Sequence, residues 1–146
     1  MASKERFQTM AKIGLPAEME NLEELLDFVD NEADKAGFPA RRVSEIRLAA
    51  EEVLVNIFCY AYPETDGDVS ISCFVKEEFF VLEILDGGTP FNIMAAPGPD
   101  LSSCLSERSV GGLGIHFVKE MANETRYVRD KGQNRLTLAF GKCRQE

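Results

Sequence analysis

The sequence predicts an α+β fold, a two-layer sandwich with helices packed on one face of a mostly antiparallel sheet. Two early segments carry apolar residues at the three- and four-residue spacing of amphipathic helices. Later segments carry the alternating or nearly continuous apolar pattern of strands, arranged as two candidate hairpins. Because no repeat or low-complexity tract separates these segments, we expect residues 1–146 to form a single domain.

The first half of the chain is predicted to form a strand and two helices. Residues 7–13 have a modest strand pattern that ends at Gly14. A first helix follows and stops at Gly37, a residue type that commonly ends helices. Its apolar stripe consists of Met19, Leu22, Leu25, Leu26, Val29 and Ala33. Ser44 is a suitable N-cap for a second helix over 45–62, which Pro63 closes.

The second half is predicted to form two hairpins around a short helix. Residues 69–75 alternate between apolar and polar, and residues 79–85 are apolar at nearly every position, as in a central strand covered on both sides. A long segment without periodicity separates this hairpin from a helix over 115–121. Strands over 125–128 and 135–140 then form the second hairpin.

Composition and charge exclude several classes of protein. The chain is 45% hydrophobic and 28% charged, as is usual for soluble globular proteins. Its formal net charge of -9 argues against nucleic-acid binding, which requires a basic surface. The N-terminus lacks the apolar core of a signal peptide and no run is long enough to span a membrane, so we expect a cytoplasmic protein without membrane contacts. The four cysteines and one histidine do not have zinc-site spacing.

The second helix contains the most informative polar residue, Asn56. From Val53 onward apolar residues cover more than one helix face, so the amide needs a hydrogen-bond partner or a metal-ligating role. Glu52 lies one turn earlier and points the same way. A carboxylate beside an amide oxygen suits Mg²⁺ with a phosphate beyond it. The simpler alternative is a solvated acid and a core asparagine that bonds to backbone.

Two further sites follow in the sequence. Asp86 ends an apolar strand and could accept a hydrogen bond from an exocyclic amine, while Gly88 would let the backbone approach a flat ring such as adenine. The glycine-rich segment 111–114 opens a helix and offers free N–H groups to a phosphate. Between them, residues 89–110 have the length of a functional lid or a disordered loop, and Arg108 could contact a phosphate or face solvent. A tight turn and helix packing are the simpler explanations of the two glycine-rich segments.

These three motifs, in this order, resemble the N, G1 and G2 boxes of the GHKL ATPases, which share the Bergerat nucleotide-binding fold. The matching segments are E-x-x-x-N at 52–56, D-G-G-x-P-F-N at 86–92 and E-R-S-x-G-G-L-G-I at 107–115. The short chain and its ending at 135–140 are most similar to the anti-sigma-factor serine kinases, which regulate bacterial sigma factors by partner switching. The resemblance covers nearly the whole chain from residue 16.

The resemblance implies a role for each matching residue. Asn56 would ligate Mg²⁺, and Glu52 would be the general base that acts on a partner's serine hydroxyl. Asp86 would bind the adenine amine with Gly88 beneath the ring, and Arg108 in the lid would touch the γ-phosphate or the partner. The implied cofactor-binding residues are Asn56, Asp86, Gly88, Phe91, Gly111, Gly112, Leu113 and Gly114.

The function that the resemblance implies is that of an ATP- and Mg²⁺-dependent protein serine/threonine kinase with an anti-sigma role. Its substrate would be a small anti-anti-sigma antagonist protein, and it could also sequester a sigma factor. Two alternatives stay open, a nucleotide-gated binding module with little catalysis and the detached ATP-binding domain of a histidine kinase. Glu52 favours the kinase, because binding alone requires no base. The N-terminal strand and first helix could also form a homodimer interface.

Overall fold

A five-stranded antiparallel sheet forms one layer of the computed structural model, which describes residues 9–92 and 111–143. The strands are β1 (Thr9–Pro16), β2 (Asp68–Lys76), β3 (Phe79–Asp86), β4 (Glu124–Asp130) and β5 (Gln133–Phe140). They lie side by side in the order β1-β2-β3-β5-β4, and every neighbouring pair is antiparallel. This arrangement confirms the predicted α+β sandwich.

Three α-helices form the second layer within the described residues. They are α1 (Leu22–Lys35), α2 (Ala40–Tyr60) and α3 (Gly111–Met121), with a short 3-10 helix at Met19–Asn21 before α1. Helix α2 packs against both α1 and α3, so it is the centre of this layer. The largest fully buried side chains of the core are Phe80, Phe140, Leu25, Leu26, Ile46, Leu54, Ile71, Leu82, Ile84, Leu138, Val29 and Val53. Among the described residues, no helix is both long and apolar enough to cross a membrane.

Two tight turns set the register of the strands. Glu77, between β2 and β3, has φ 60°, while Lys131 and Gly132, between β4 and β5, have φ 54° and 79°. Two consecutive positive φ values are typical of the two-residue hairpin turn that matches the twist of the strands. Strands β3 and β5 are not consecutive in the chain, and their pairing places Asn134, near the start of β5, directly opposite Asp86 at the end of β3.

Several element boundaries differ from the predictions. Helix α2 begins at Ala40 with Pro39 as N-cap, and Ser44 is an exposed residue inside the helix, so the predicted Ser44 cap is wrong. The reason is tertiary, because Arg42 in the first turn is held by residues far away in the chain. Strand β1 does not end at Gly14 but continues to Pro16, because residues 14–16 pair with β2.

Helix α3 also begins earlier than predicted, at Gly111 instead of Ile115. The glycine-rich segment is therefore the first turn of the helix and does not precede it. The predicted stop signal of α1 is confirmed, because Gly37 has φ 88° and its N–H bonds to the carbonyl of Asp34.

Candidate functional site

A cleft opens between α2 and the sheet, at the ends of the strands where β3 finishes and β5 begins. It is lined by Val53, Asn56, Ile57, Ala61, Ile84, Asp86, Phe91, Tyr127, Asn134 and Leu136. Three of the predicted site residues, Asn56, Asp86 and Phe91, therefore meet on one cleft although they come from separate segments. Apolar walls with a few polar groups are typical of sites that bind a flat organic ligand.

Asp86 is the buried acid of this cleft. Only 5% of the residue is exposed. Its Oδ1 accepts hydrogen bonds from the N–H of Gly88 at 2.9 Å and from Nδ2 of Asn134 at 3.0 Å. None of the described residues donates a hydrogen bond to Oδ2. The carboxylate thus keeps one oxygen that can accept a hydrogen bond from a ligand.

Gly88 lies against the end of α2. A Cβ on this residue would lie 2.2 Å from the carbonyl oxygen of Ala61 and 2.5 Å from its Cβ. The next residue, Thr89, donates its N–H to that same carbonyl at 2.9 Å. Packing of this turn on α2 is therefore a sufficient reason for a glycine, and contact with a ligand ring stays a prediction.

Asn56 and Glu52 are both buried on α2, with 4% and 6% of each residue exposed. Asn56 donates from Nδ2 to the backbone carbonyl of Glu52 at 2.8 Å. The simpler alternative therefore holds for the amide nitrogen, which bonds to backbone. The amide oxygen is the atom of Asn56 that could serve a ligand in the cleft.

The side chains of the cleft fit a Mg²⁺ ion that is held partly by phosphate and water better than they fit a metal held by protein side chains alone. The described residues contain no group of three or more His, Cys, Asp or Glu side chains placed to hold a metal ion. Mg²⁺ usually keeps several waters and binds through one or two protein oxygens together with phosphates. The amide oxygen of Asn56 is of the chemical type that such a site uses.

Two tyrosines at the end of α2 shape the site: Tyr60 is the last residue of the helix and Tyr62 follows it. The ring of Tyr60 lies 5.8 Å, centroid to centroid, from the ring of Phe91, which is 38% exposed. The hydroxyl of Tyr62 accepts a hydrogen bond from the N–H of Gly87 at 2.8 Å and donates to the carbonyl of Asp68 at 2.7 Å. Burial raises the pKa of this hydroxyl above the usual tyrosine value. Tyr62 thus fixes the turn that follows β3.

Sequence reasoning missed Asn134, which lies on the cleft and bonds to Asp86. The signal was present, because Asn134 shares the core-facing side of β5 with Leu136 and Leu138. A buried asparagine at the end of such an apolar row needs partners. The predicted strand begins at Arg135, and this boundary leaves Asn134 outside the strand.

The remaining predicted residues are only partly described. Arg108 and residues 93–110 of the predicted lid lie outside the described residues. The backbone of Gly111, Gly112, Leu113 and Gly114 forms the first turn of α3, and α3 packs against the helix that carries Asn56. The first N–H groups of a helix have no partner within it, so this turn can donate to an anion.

Comparison with known proteins finds one family model that matches most of the chain, including the segments that line the cleft. The model described as histidine kinase-like ATPase domain matches residues 15–140, from the end of β1 to the last residue of β5. Proteins named serine-protein kinase RsbW, from Bacillus cereus strains AH187 and Q1 and from Bacillus anthracis, are 24% identical to the chain over 140 residues. These alignments cover 93% of this chain and 87% of each relative.

Proposed function

The chain belongs to the histidine kinase-like ATPase domain family, and on that premise we propose that it is an ATP-dependent protein serine/threonine kinase with an anti-sigma role. The observation that carries the proposal is the meeting of Asn56 and Asp86 on one apolar cleft. The relatives' name, serine-protein kinase, supports the class of reaction. The substrate would be a serine of a small antagonist protein of the anti-anti-sigma type.

The base of ATP would occupy the apolar part of the cleft. The open oxygen of Asp86 would accept a hydrogen bond from the exocyclic amine of adenine. Ile84 and Leu136 line this part of the cleft, and Phe91 lies near its mouth. An apolar enclosure of a flat ring, with one oriented acceptor, gives both affinity and a preference for adenine.

The phosphates would lie toward α3 and the predicted lid. The backbone N–H groups of residues 111–114 would donate to them, and Arg108 would contact the γ-phosphate or the partner protein. Asn56 would hold Mg²⁺ through its amide oxygen. When bound, Mg²⁺ neutralises part of the negative charge on the phosphates. This matters for a chain with a formal net charge of -9, which must bind a strongly anionic ligand.

Glu52 would act as the general base. It would take the proton from the partner's serine hydroxyl while the serine oxygen forms a bond to the γ-phosphorus. The bond between that phosphorus and the bridging β–γ oxygen breaks, and ADP leaves. General base catalysis of this kind contributes about 10²–10⁴-fold in rate. A cytoplasmic location, a homodimer and binding of a sigma factor would complete the partner-switching role.

Calorimetric titration with ATP, with and without Mg²⁺, tests the nucleotide site first. We expect binding that depends on the metal, and we expect Asn56→Ala to abolish that dependence while the protein stays folded. Unchanged affinity and metal dependence in the variant would refute the role of Asn56. Absence of ATP binding to the wild type would refute the proposed function.

Phosphate transfer is tested by incubating the protein with γ-labelled ATP and a purified antagonist protein of the anti-anti-sigma type. We expect Glu52→Gln to bind ATP as the wild type does and to transfer about 10²-fold less label or lower still. Equal transfer by both proteins would show that Glu52 is not the base. Binding without transfer in the wild type would favour a nucleotide-gated binding module.

A further inference from the structure

We propose that Asn134 is a positioning residue that orients Asp86 and thereby sets the preference for a base with an exocyclic amine. The proposal rests on the proposed function, since it concerns how the same cleft selects its nucleotide. It assigns a role to a residue that none of the three sequence motifs contains.

Asn134 is placed for this role by the sheet. It lies on β5 directly opposite Asp86 on β3, and both side chains are 5% exposed. Neither polar group could be buried at this level without partners. The strand register therefore places the two side chains side by side, and a hydrogen bond joins them.

The nitrogen of the Asn134 side chain holds one oxygen of Asp86. Nδ2 donates to Oδ1 of Asp86 at 3.0 Å and to the carbonyl of Thr89 at 2.8 Å. The N–H of Gly88 donates to the same Oδ1 at 2.9 Å. Two donors therefore fix the rotation of the carboxylate, and Oδ2 is the oxygen left to a ligand.

The oxygen of the Asn134 side chain fixes the orientation of the amide. Oδ1 accepts hydrogen bonds from the Tyr127 hydroxyl at 2.5 Å, from Nη1 of Arg129 at 3.2 Å and from the N–H of Phe91 at 3.3 Å. A flipped amide would turn its NH₂ group toward these three donors, so the flip is unfavourable. Arg129 also donates from Nη1 to the carbonyl of Gly88 at 2.8 Å, which ties β4 to the turn that follows Asp86.

The consequence is a site with a defined polarity. An ionised carboxylate oxygen can accept a hydrogen bond from the 6-amino group of adenine, whereas the 6-oxo group of hypoxanthine presents a second acceptor at the same place. A site built around one oriented acceptor rejects such a ligand strongly, because the buried carboxylate oxygen would be left unpaired. The preference depends on the correct rotation of the Asp86 carboxylate, and that rotation depends on the donor from Asn134.

Titration of the full chain with ATP and with inosine triphosphate, both with Mg²⁺, tests the proposal. The decisive variant is Asn134→Asp, which keeps the size and the acceptor oxygen but removes the donor. It also places a carboxylate oxygen where Nδ2 of Asn134 lies 3.0 Å from Oδ1 of Asp86, so that an attraction becomes a repulsion. We expect the wild type to prefer ATP by about 100-fold and this variant to lose about tenfold or more of that preference.

Two further variants make the result decisive. Asn123→Ala removes an asparagine from a different buried cluster and should lower the melting temperature while leaving the ratio of ATP to inosine triphosphate affinity unchanged. Tyr127→Phe removes one of the three donors to Asn134 and should lower the ratio by about two- to fivefold. It provides the test should Asn134→Asp fail to fold.

An unchanged ratio in every folded variant at Asn134 and Tyr127, with normal ATP binding by the wild type, would overturn the role of Asn134. A drop in the ratio for Asn123→Ala equal to that for Asn134→Asp would also overturn it, because the effect would then be one of general stability. If the wild type binds neither nucleotide, it is the proposed function that fails.

Discussion

Two clusters of hydrogen-bonded polar residues lie at opposite ends of β5, and they differ in whether they border the cleft. The first, which we call the Asp86 cluster, comprises Asp86, Asn134, Tyr127 and Arg129 at the start of the strand. The second, the Arg42 cluster, comprises Arg42, Glu45, Asn123 and Gly141 at its end. Both join segments that are distant in the sequence, and Asp86, Tyr127 and Asn134 of the first cluster line the cleft described above.

The Arg42 cluster is closed by protein groups. The guanidinium is 3% exposed and donates to the Gly141 carbonyl at 2.8 Å, to Oδ1 of Asn123 at 2.7 Å and to Glu45 at 2.7 Å. It also lies 5.4 Å from the centre of the Phe140 ring. These contacts connect the start of α2 to the end of β5, so we assign Arg42 the role of a clamp between them.

The comparison teaches that burial and hydrogen bonding do not by themselves indicate a binding site. Arg42 is buried as deeply as Asp86 and is engaged by more groups. What distinguishes Asp86 is an oxygen that no described residue engages and that belongs to a residue lining the cleft. The predictions below test this difference by altering each cluster separately.

The largest effect on stability is expected for Arg42→Ala. The variant removes the donor to Gly141 and Asn123 and breaks a partly buried ion pair, at a cost of roughly 3 kcal/mol of unfolding free energy. Urea unfolding measures this loss, and ATP affinity of the folded fraction should stay unchanged. A large drop in that affinity with little loss of stability would contradict the assignment of this cluster as a clamp.

The largest effect on binding is expected for Asp86→Asn. The amide oxygen can keep the hydrogen bonds from Gly88 and Asn134, but the amide nitrogen would then meet the ligand and cannot accept from an amine. We expect ATP to bind about 100-fold more weakly, or roughly 2.7 kcal/mol, as measured by calorimetry. The unfolding free energy should change by about 1 kcal/mol or less, because the hydrogen bonds from Gly88 and Asn134 are kept. Normal ATP binding by this variant would remove Asp86 from the site.

A smaller effect is expected for Gly88→Ala, with Gly14→Ala as the matched control. The new Cβ at Gly88 would overlap the Ala61 carbonyl, so the turn or the end of α2 must shift, at a cost of roughly 1–3 kcal/mol in stability. At Gly14 the nearest atoms to a new Cβ lie 3.8 Å away, an ordinary contact. Thermal unfolding compares the two variants, and equal stability of both would show that the turn is not held against α2.

The smallest effect is expected for Tyr62→Phe. The loss of the hydroxyl removes two hydrogen bonds beside the Asp86 cluster, at a cost of about 1 kcal/mol. Because burial raises the pKa of Tyr62, the contribution is present below the ordinary value of 10.0 and is lost as pH rises through the higher folded value.

Urea unfolding at several pH values checks the Tyr62 prediction. The difference in stability between wild type and variant should shrink as the solution becomes strongly alkaline. A difference that stays constant across that range would contradict it. Comparison with Tyr62→Phe at each pH cancels the effect of all other titrating groups, because the two proteins share them.

The sequence by itself determined the fold class and the approximate positions of the helices and strands. Apolar periodicity reports which face of an element is buried, and this information is local. The same local reasoning brought forward Asn56 and Asp86, because a polar group in or beside an apolar segment needs a partner. The glycine at position 37 was likewise correctly read as the end of α1.

Only the tertiary structure decided which distant residues meet. The start of α2 depends on Arg42 reaching Gly141 and Asn123, contacts that no window around Ser44 can reveal. Asn134 is paired with Asp86 by strand register across 48 positions of sequence. Strands β3 and β5 are not joined by a hairpin, so their register depends on the burial of one sheet face as a whole. For that physical reason the sequence predicts the separate motifs, whereas their meeting in one cleft depends on how the strands pair in the sheet.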